Sequence, residues 1–184
     1  VFFGNSGGVT TVPLQLDLLG MKELLDSIGK VATPIGFQFS VTDITAPSNP
    51  KVVQTVTSDA NGQFMASLEF DNPGTYMYQI SEVSTTSPNI KYDMNSYTLT
   101  VKVTDKVELK TYNGEPTGIY TYGAEISVIN DASKETVFTG QFDGNNWGSQ
   151  CLTVAYLRKS ASGGAAFTNQ LKKEEYSVNV TKVD

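Results

Sequence analysis

Between residues 58 and 105 the chain alternates apolar and polar residues in short blocks, with turn chemistry between each block and the next. Phe64, Ala66, Leu68 and Phe70 fall on one face of the first block. Tyr76, Tyr78, Ile80 and Glu82 share a face of the second, and Tyr97, Leu99, Val101 and Val103 a face of the third. A period of two belongs to strands with one buried face, because successive side chains in a strand point to opposite sides. Asn61-Gly62 and Asp71-Asn72-Pro73-Gly74 supply the turns, since Gly and Asn accept positive φ and Pro presets the first corner. The segment is read as an antiparallel meander. Glu82 is its anomaly: a carboxylate on an apolar face has to be solvated, paired or held protonated.

The rest of the chain follows the same pattern. Residues 12–18 alternate, with Val12, Leu14, Leu16 and Leu18 on one face, and read as a first strand; Pro13 near its start suits an edge. In residues 20–30, Met21, Leu24, Leu25 and Ile28 stand at helical spacing and Gly29 is placed as a stop, which predicts one short helix of about three turns. Residues 36–43 and 51–57 read as strands before the meander. Residues 107–112, 119–130, 136–142, 151–158, 165–169 and 176–183 read as strands or strand-like blocks after it. The expectation is all-β: an antiparallel sandwich with one short helix near the N-terminus. Residues 1–8 read as a linker, 9–174 as the sandwich with a hairpin insertion over 119–160, and 175–184 as a last strand or the start of a following domain.

Composition removes several functions. A net charge of −6 and a pI near 4.6 argue against nucleic acid. No apolar run reaches the roughly 20 residues of a membrane span, so no membrane insertion is expected within this stretch. With no histidine, Ser-His and Cys-His nucleophile pairs and His-containing zinc sites are excluded. One cysteine, Cys151, cannot form an internal disulfide. No cofactor or metal is called for. Asp143, Asn145 and Asn146 lack the spacing and closing glutamate of a calcium loop.

The series D-A-N-G-x-F, L-x-F-x-x-P-G-T-Y-x-Y-x-I-x-E-V and I-x-Y-D-x-x-x-Y-T-L-T-V-x-V-T-D in residues 59–105 resembles the pilin isopeptide-linkage domain, an Ig-like β-sandwich of shaft pilins and surface adhesins of Gram-positive bacteria. The resemblance implies a wall- or pilus-associated structural subunit outside the cell, with neighbouring domains or pilin subunits and host or glycan ligands as partners, and no turnover enzyme. It also implies a covalent staple: a lysine of the opening strand joined to an asparagine of the last, promoted by a glutamate between them. Burial makes the chemistry intelligible. Desolvation favours a neutral, nucleophilic lysine and a protonated glutamate, which would donate to the carboxamide oxygen and supply a proton to departing ammonia. The bond would carry pulling force past the hydrogen-bonded sheet.

By resemblance Glu82 is the promoting acid, and Asn169 in Phe167-Thr168-Asn169 is the acceptor. The lysine stays open among Lys22, Lys30 and Lys182. The opening strand, read as Val12-Pro13-Leu14-Gln15-Leu16, has none, and Lys182 is read as belonging to a following domain. A second phrase, Phe138-Thr139-Gly140, stands nearer the family spacing but carries Gly where Asn is needed. If it were the last strand, no bond would form. From another class, Trp147, Tyr120 and Tyr122 could make a carbohydrate-binding platform on a secreted or surface module, although aromatics in a sandwich are commonly core.

Overall fold

A computed structural model describes residues 10–85, 87–145 and 152–173. Its strands in chain order are β1 (Thr10–Thr11), β2 (Leu14–Leu25), β3 (Val31–Ala32), β4 (Gln38–Asp43), β5 (Lys51–Thr57), β6 (Gln63–Phe70) and β7 (Gly74–Glu82). They continue as β8 (Ile90–Lys91), β9 (Ser96–Lys110), β10 (Pro116–Asn130), β11 (Thr136–Phe142), β12 (Leu152–Leu157) and β13 (Phe167–Leu171). One sheet runs β1-β10-β9-β7-β4-β5, with β11 on the far side of β10. The other is built around β2. Two sheets of alternating strands with inward apolar faces enclose one core, the expected all-β sandwich.

β2 decides where the chemistry sits. Its first half pairs antiparallel with β6 on one side and parallel with β12 on the other. Its second half pairs antiparallel with β3 and parallel with β13. β12 and β13 therefore dock one after the other along the same edge of a single long strand, with the loop between them leaving and returning. Ala166 rejoins the strand by donating its N–H to the Met21 carbonyl at 3.0 Å. β2 is central, not an edge, and Pro13 lies just before it, where no ladder hydrogen bond is asked of it.

The short helix expected over residues 20–30 is absent. The strand that begins at Leu14 runs through to Leu25, and burial alternates without a break over Leu14, Leu16, Leu18, Gly20, Lys22 and Leu24. Of the supposed helical face, Met21 is 41% exposed and Ile28 75%. Residues 26–30 form a turn instead: Asp26 Oδ1 accepts the N–H groups of Ile28 and Lys30, and Gly29 takes φ 84°. Local spacing favoured a helix, but partners on both sides satisfy the backbone of β2 as a strand, and tertiary pairing overrides propensity. By the same logic the strands expected at 97–103 and 107–112 are one, β9, which pairs with β10 through register shifts near Gly123.

The core is aromatic at the end where β2 carries its lysine. Phe39 and Phe64 stack at 3.9 Å between ring centroids, and Phe167 lies tilted against both. The Phe64 ring covers Gly20, its cross-strand partner. Any Cβ at Gly20 would collide with a ring that Phe39 holds from the other side. Gly20→Val is expected to destabilise the fold by about 1–3 kcal/mol through overpacking, measured as a fall in the denaturant midpoint at unchanged slope.

Candidate functional site

Three strands converge on one buried point. Lys22 lies eight residues beyond the start of β2 and faces inward, because it keeps the parity of Leu14, Leu16 and Leu18. Glu82 is the last residue of β7 and sits opposite Phe39 of β4 in the register of the other sheet. Asn169 lies in β13, directly opposite Leu24 of β2, with Phe167 opposite Lys22. The core thus brings a lysine and an asparagine of one sheet against a glutamate of the other.

The contacts are short and dry. Lys22 Nζ lies 2.8 Å from Glu82 Oε1, and neither side chain has any exposed surface. Asn169 Nδ2 donates to the same Oε1 at 2.8 Å. Glu82 Oε2 has no hydrogen-bond partner among the described residues. The Phe37 ring lies beneath the lysine, 4.9 Å from Nζ to its centroid. One carboxylate oxygen therefore touches both a lysine nitrogen and a carboxamide nitrogen.

The carboxamide orientation follows from its other neighbour. The main-chain N–H of Asp93 donates to Asn169 Oδ1 at 2.7 Å. A backbone N–H can only donate, so it fixes the oxygen on its own side and leaves the NH2 group to the carboxylate. The arrangement differs from the expected one, in which the glutamate faces the carboxamide oxygen. Here Glu82 attends the nitrogen.

Burial works on both charged groups. Desolvation pulls the Lys22 amine below the ordinary lysine range, opposed by its hydrogen bond and attraction to Glu82. Desolvation likewise pushes the Glu82 carboxyl above the ordinary carboxylate range, opposed by Lys22 and by the Asn169 hydrogen bond. Both shifts favour the neutral pair, amine plus carboxylic acid, over the ion pair. This is the protonation state in which a lysine is a nucleophile.

The remaining sequence candidates fall elsewhere. Lys30 is exposed in the turn after β2. Lys182, Trp147, Asn146 and Cys151 lie outside the described residues, as do the segments 1–8 and 175–184. Phe138-Thr139-Gly140 belongs to β11, paired with β10 in the opposite sheet, and is not the last strand. Tyr122 is buried in the core and cannot form part of an exposed aromatic platform. Asp143 accepts the Asn145 N–H in a turn. The sequence reading leaves Lys22 as one of three options because it ends the opening strand at Leu18. The continued parity of Gly20, Lys22 and Leu24 was the signal that could have found it.

A family model covers most of the chain. The family model of FctA, the Spy0128-like isopeptide containing domain, matches residues 19–172, a span that holds all three side chains. No curated protein matches the sequence. Among solved structures, the chain is similar to a point mutant of the major pilin from Streptococcus pyogenes, at 16% identity and a TM-score of 0.39, over 86% of this chain and 50% of that one. It is also similar to the SpaE basal pilin from Lactobacillus rhamnosus GG, at 13% identity and a TM-score of 0.30, over 77% of this chain and 47% of that one. The chain spans about half the length of the pilins it matches.

The pKa directions predict a pH dependence of stability. In an Asn169→Ala background no Lys–Asn bond can form and the Lys22–Glu82 pair persists. Because the folded-state pKa of Glu82 is raised, its contribution is intact below the unfolded carboxylate range and is lost as pH rises through the folded value. Lys22 holds that value down, and its own lowered pKa contributes with the opposite sign. The two largely offset while both are present, so Lys22→Met exposes the full loss toward neutral pH. Adding Glu82→Gln removes it. Denaturant unfolding from pH 4 to 8 in the three variants measures the slopes.

Proposed function

The chain belongs to the FctA family of Spy0128-like isopeptide containing domains, and from that premise we propose that it is a structural domain of a Gram-positive surface subunit, a pilin or modular adhesin, which staples itself once through a Lys22–Asn169 isopeptide bond. The observation that carries the reading is the shared contact of Lys22 Nζ and Asn169 Nδ2 with one oxygen of Glu82, each at 2.8 Å, in a fully buried site.

The atoms balance around that oxygen. Proton transfer within the ion pair gives a neutral amine and a protonated Glu82. The Nζ lone pair attacks Cγ of Asn169. As the tetrahedral centre collapses, the carboxyl passes its proton to Nδ2 and receives one from Nζ, so the C–N bond breaks and ammonia leaves. Glu82 ends as it began the attack, protonated, and the product is a secondary amide. A single oxygen within reach of both nitrogens suits a proton shuttle better than two separate groups would. The event happens once per molecule, so the domain is not a turnover enzyme.

In stability the bond resembles a disulfide that no reductant opens. It closes a loop of roughly 150 residues, worth about 5 kcal/mol in the chain-entropy account. A chain with one cysteine has no disulfide route to the same gain. In this reading the domain lies at the cell exterior, in the wall or a pilus, with neighbouring domains or subunits as partners and host or glycan ligands beyond them; its membership of an isopeptide-domain family supports that reading.

Intact mass spectrometry tests the reading. The purified chain should weigh one ammonia less than its sequence, with the Lys22 and Asn169 peptides joined after digestion. Lys22→Ala, Glu82→Ala and Asn169→Ala should each restore the full mass and lower the melting temperature. A full mass in the unaltered protein, or a crosslink through Lys30 or Lys182, would overturn the assignment.

A further inference from the structure

We infer that Asp93 completes the reactive centre: its main-chain N–H is the oxyanion donor for the carboxamide of Asn169, and its own carboxylate holds that donor in register. The inference rests on the isopeptide reading and assigns the group that stabilises the charge formed in it.

The Asp93 N–H lies 2.7 Å from Asn169 Oδ1, the atom that takes up negative charge when Lys22 attacks. A second donor is not needed for the leaving side, because Glu82 attends Nδ2. Charge development on oxygen and proton delivery to nitrogen are therefore handled by two groups from two segments. In a site closed to water, a fixed donor aimed at the developing oxyanion counts for far more than it would in solvent.

The donor is held by its own residue. Asp93 Oδ2 accepts the N–H of Thr168, the residue before Asn169, at 2.9 Å, and Oδ1 accepts the N–H of Asn95 at 2.9 Å. Asp93 thus grips β13 twice, donating to the side chain of Asn169 and accepting from the backbone of Thr168. Just outside this grip, β8 and β13 pair antiparallel through Lys91↔Gln170 and Ile90↔Leu171. Lys172 also donates to the Asn89 carbonyl at 2.7 Å. On the other flank Asn95 Nδ2 donates to Asn130 Oδ1, at the end of β10. A slip of β13 along this segment would break the Thr168 contact and withdraw the donor together. The carboxylate also faces the reacting pair, as a nearby negative charge that favours protons on both Lys22 and Glu82.

The attack step balances as before, with one addition. The carbonyl π electrons move to Oδ1 as the Nζ–Cγ bond forms, the oxyanion is held by the Asp93 N–H, and the electrons return as ammonia departs. The donor neither gains nor loses a proton.

The test follows crosslinking in time. Chain collected in denaturant as it is made, before reaction, is refolded by dilution. Folding is read by near-ultraviolet circular dichroism and ammonia loss by intact mass. With Asp93→Ala the refolded chain should lose ammonia about a hundredfold more slowly than the unaltered protein, and Asp93→Asn, which keeps one acceptor oxygen, should fall between. A merely structural role would slow folding and mass loss together, and would leave the refolded chain reacting at the normal rate. Should Asp93→Ala fail to fold, a second measurement on the unreactive Lys22→Met protein decides the matter. There the Asp93 amide should be protected from hydrogen exchange, and adding Asn169→Ala should expose it. Unchanged rates in folded Asp93 variants, or an Asp93 amide that exchanges equally fast with and without Asn169, would overturn the inference. If the unaltered chain never loses ammonia, the isopeptide reading itself fails, a result distinct from either.

Discussion

The structure turns on placing an amine and a carboxyl together where water cannot reach them. Lys22 and Glu82 come from opposite sheets, and neither side chain is exposed. An isolated buried ion would cost several kcal/mol, and even a pair recovers that cost only with good geometry and full hydrogen bonding. Here the bonding is incomplete, since Glu82 Oε2 has no partner among the described residues. A fold that keeps such a pair keeps a group of raised free energy in its core. The proposed conversion to a neutral amide would relieve it. Reactivity and structural cost are the same fact seen from two sides.

The scaffold around the pair explains how the cost is met. The aromatic cluster of Phe39, Phe64 and Phe167 packs beside the polar groups, and Tyr97 reaches across it to donate to the Ala166 carbonyl at 2.7 Å. Gly20 makes room for the Phe64 ring. β2 is central and long, so the position of Lys22 is fixed by ladders on both sides, not by a loop. Sites set on paired strands hold their geometry better than sites set on connections.

Much of the fold could be read from the sequence, because period-two alternation and turn residues act locally. The meander over 58–105, the strands at 51–57 and 136–142 and the sandwich class all rest on such local signals. The oddity of Glu82 was equally legible, since a carboxylate among Tyr76, Tyr78 and Ile80 breaks its own pattern. What escaped was non-local. Met21, Leu24, Leu25 and Ile28 fit a helical period, while Gly20, Lys22 and Leu24 fit a strand period. Only the arrival of β3, β6, β12 and β13 chooses between them. Phe138-Thr139-Gly140 and Phe167-Thr168-Asn169 differ little as phrases, and which one lies beside Lys22 is a matter of topology. The orientation of the Asn169 carboxamide depends on an N–H from residue 93, which no spacing rule reveals.

The meeting of the three groups across two sheets has a temporal consequence. Until β2, β7 and β13 are all in place, Lys22 is an ordinary solvated ammonium and Glu82 an ordinary carboxylate, and neither is reactive. In the proposed reaction, desolvation by the finished core would create the nucleophile and the acid. A chain that misregisters, or that leaves its last strand undocked, stays chemically silent. The amide would therefore act as an indelible record of correct assembly, written only on molecules that have passed through the native state, and sparing the misfolded ones from being locked in error.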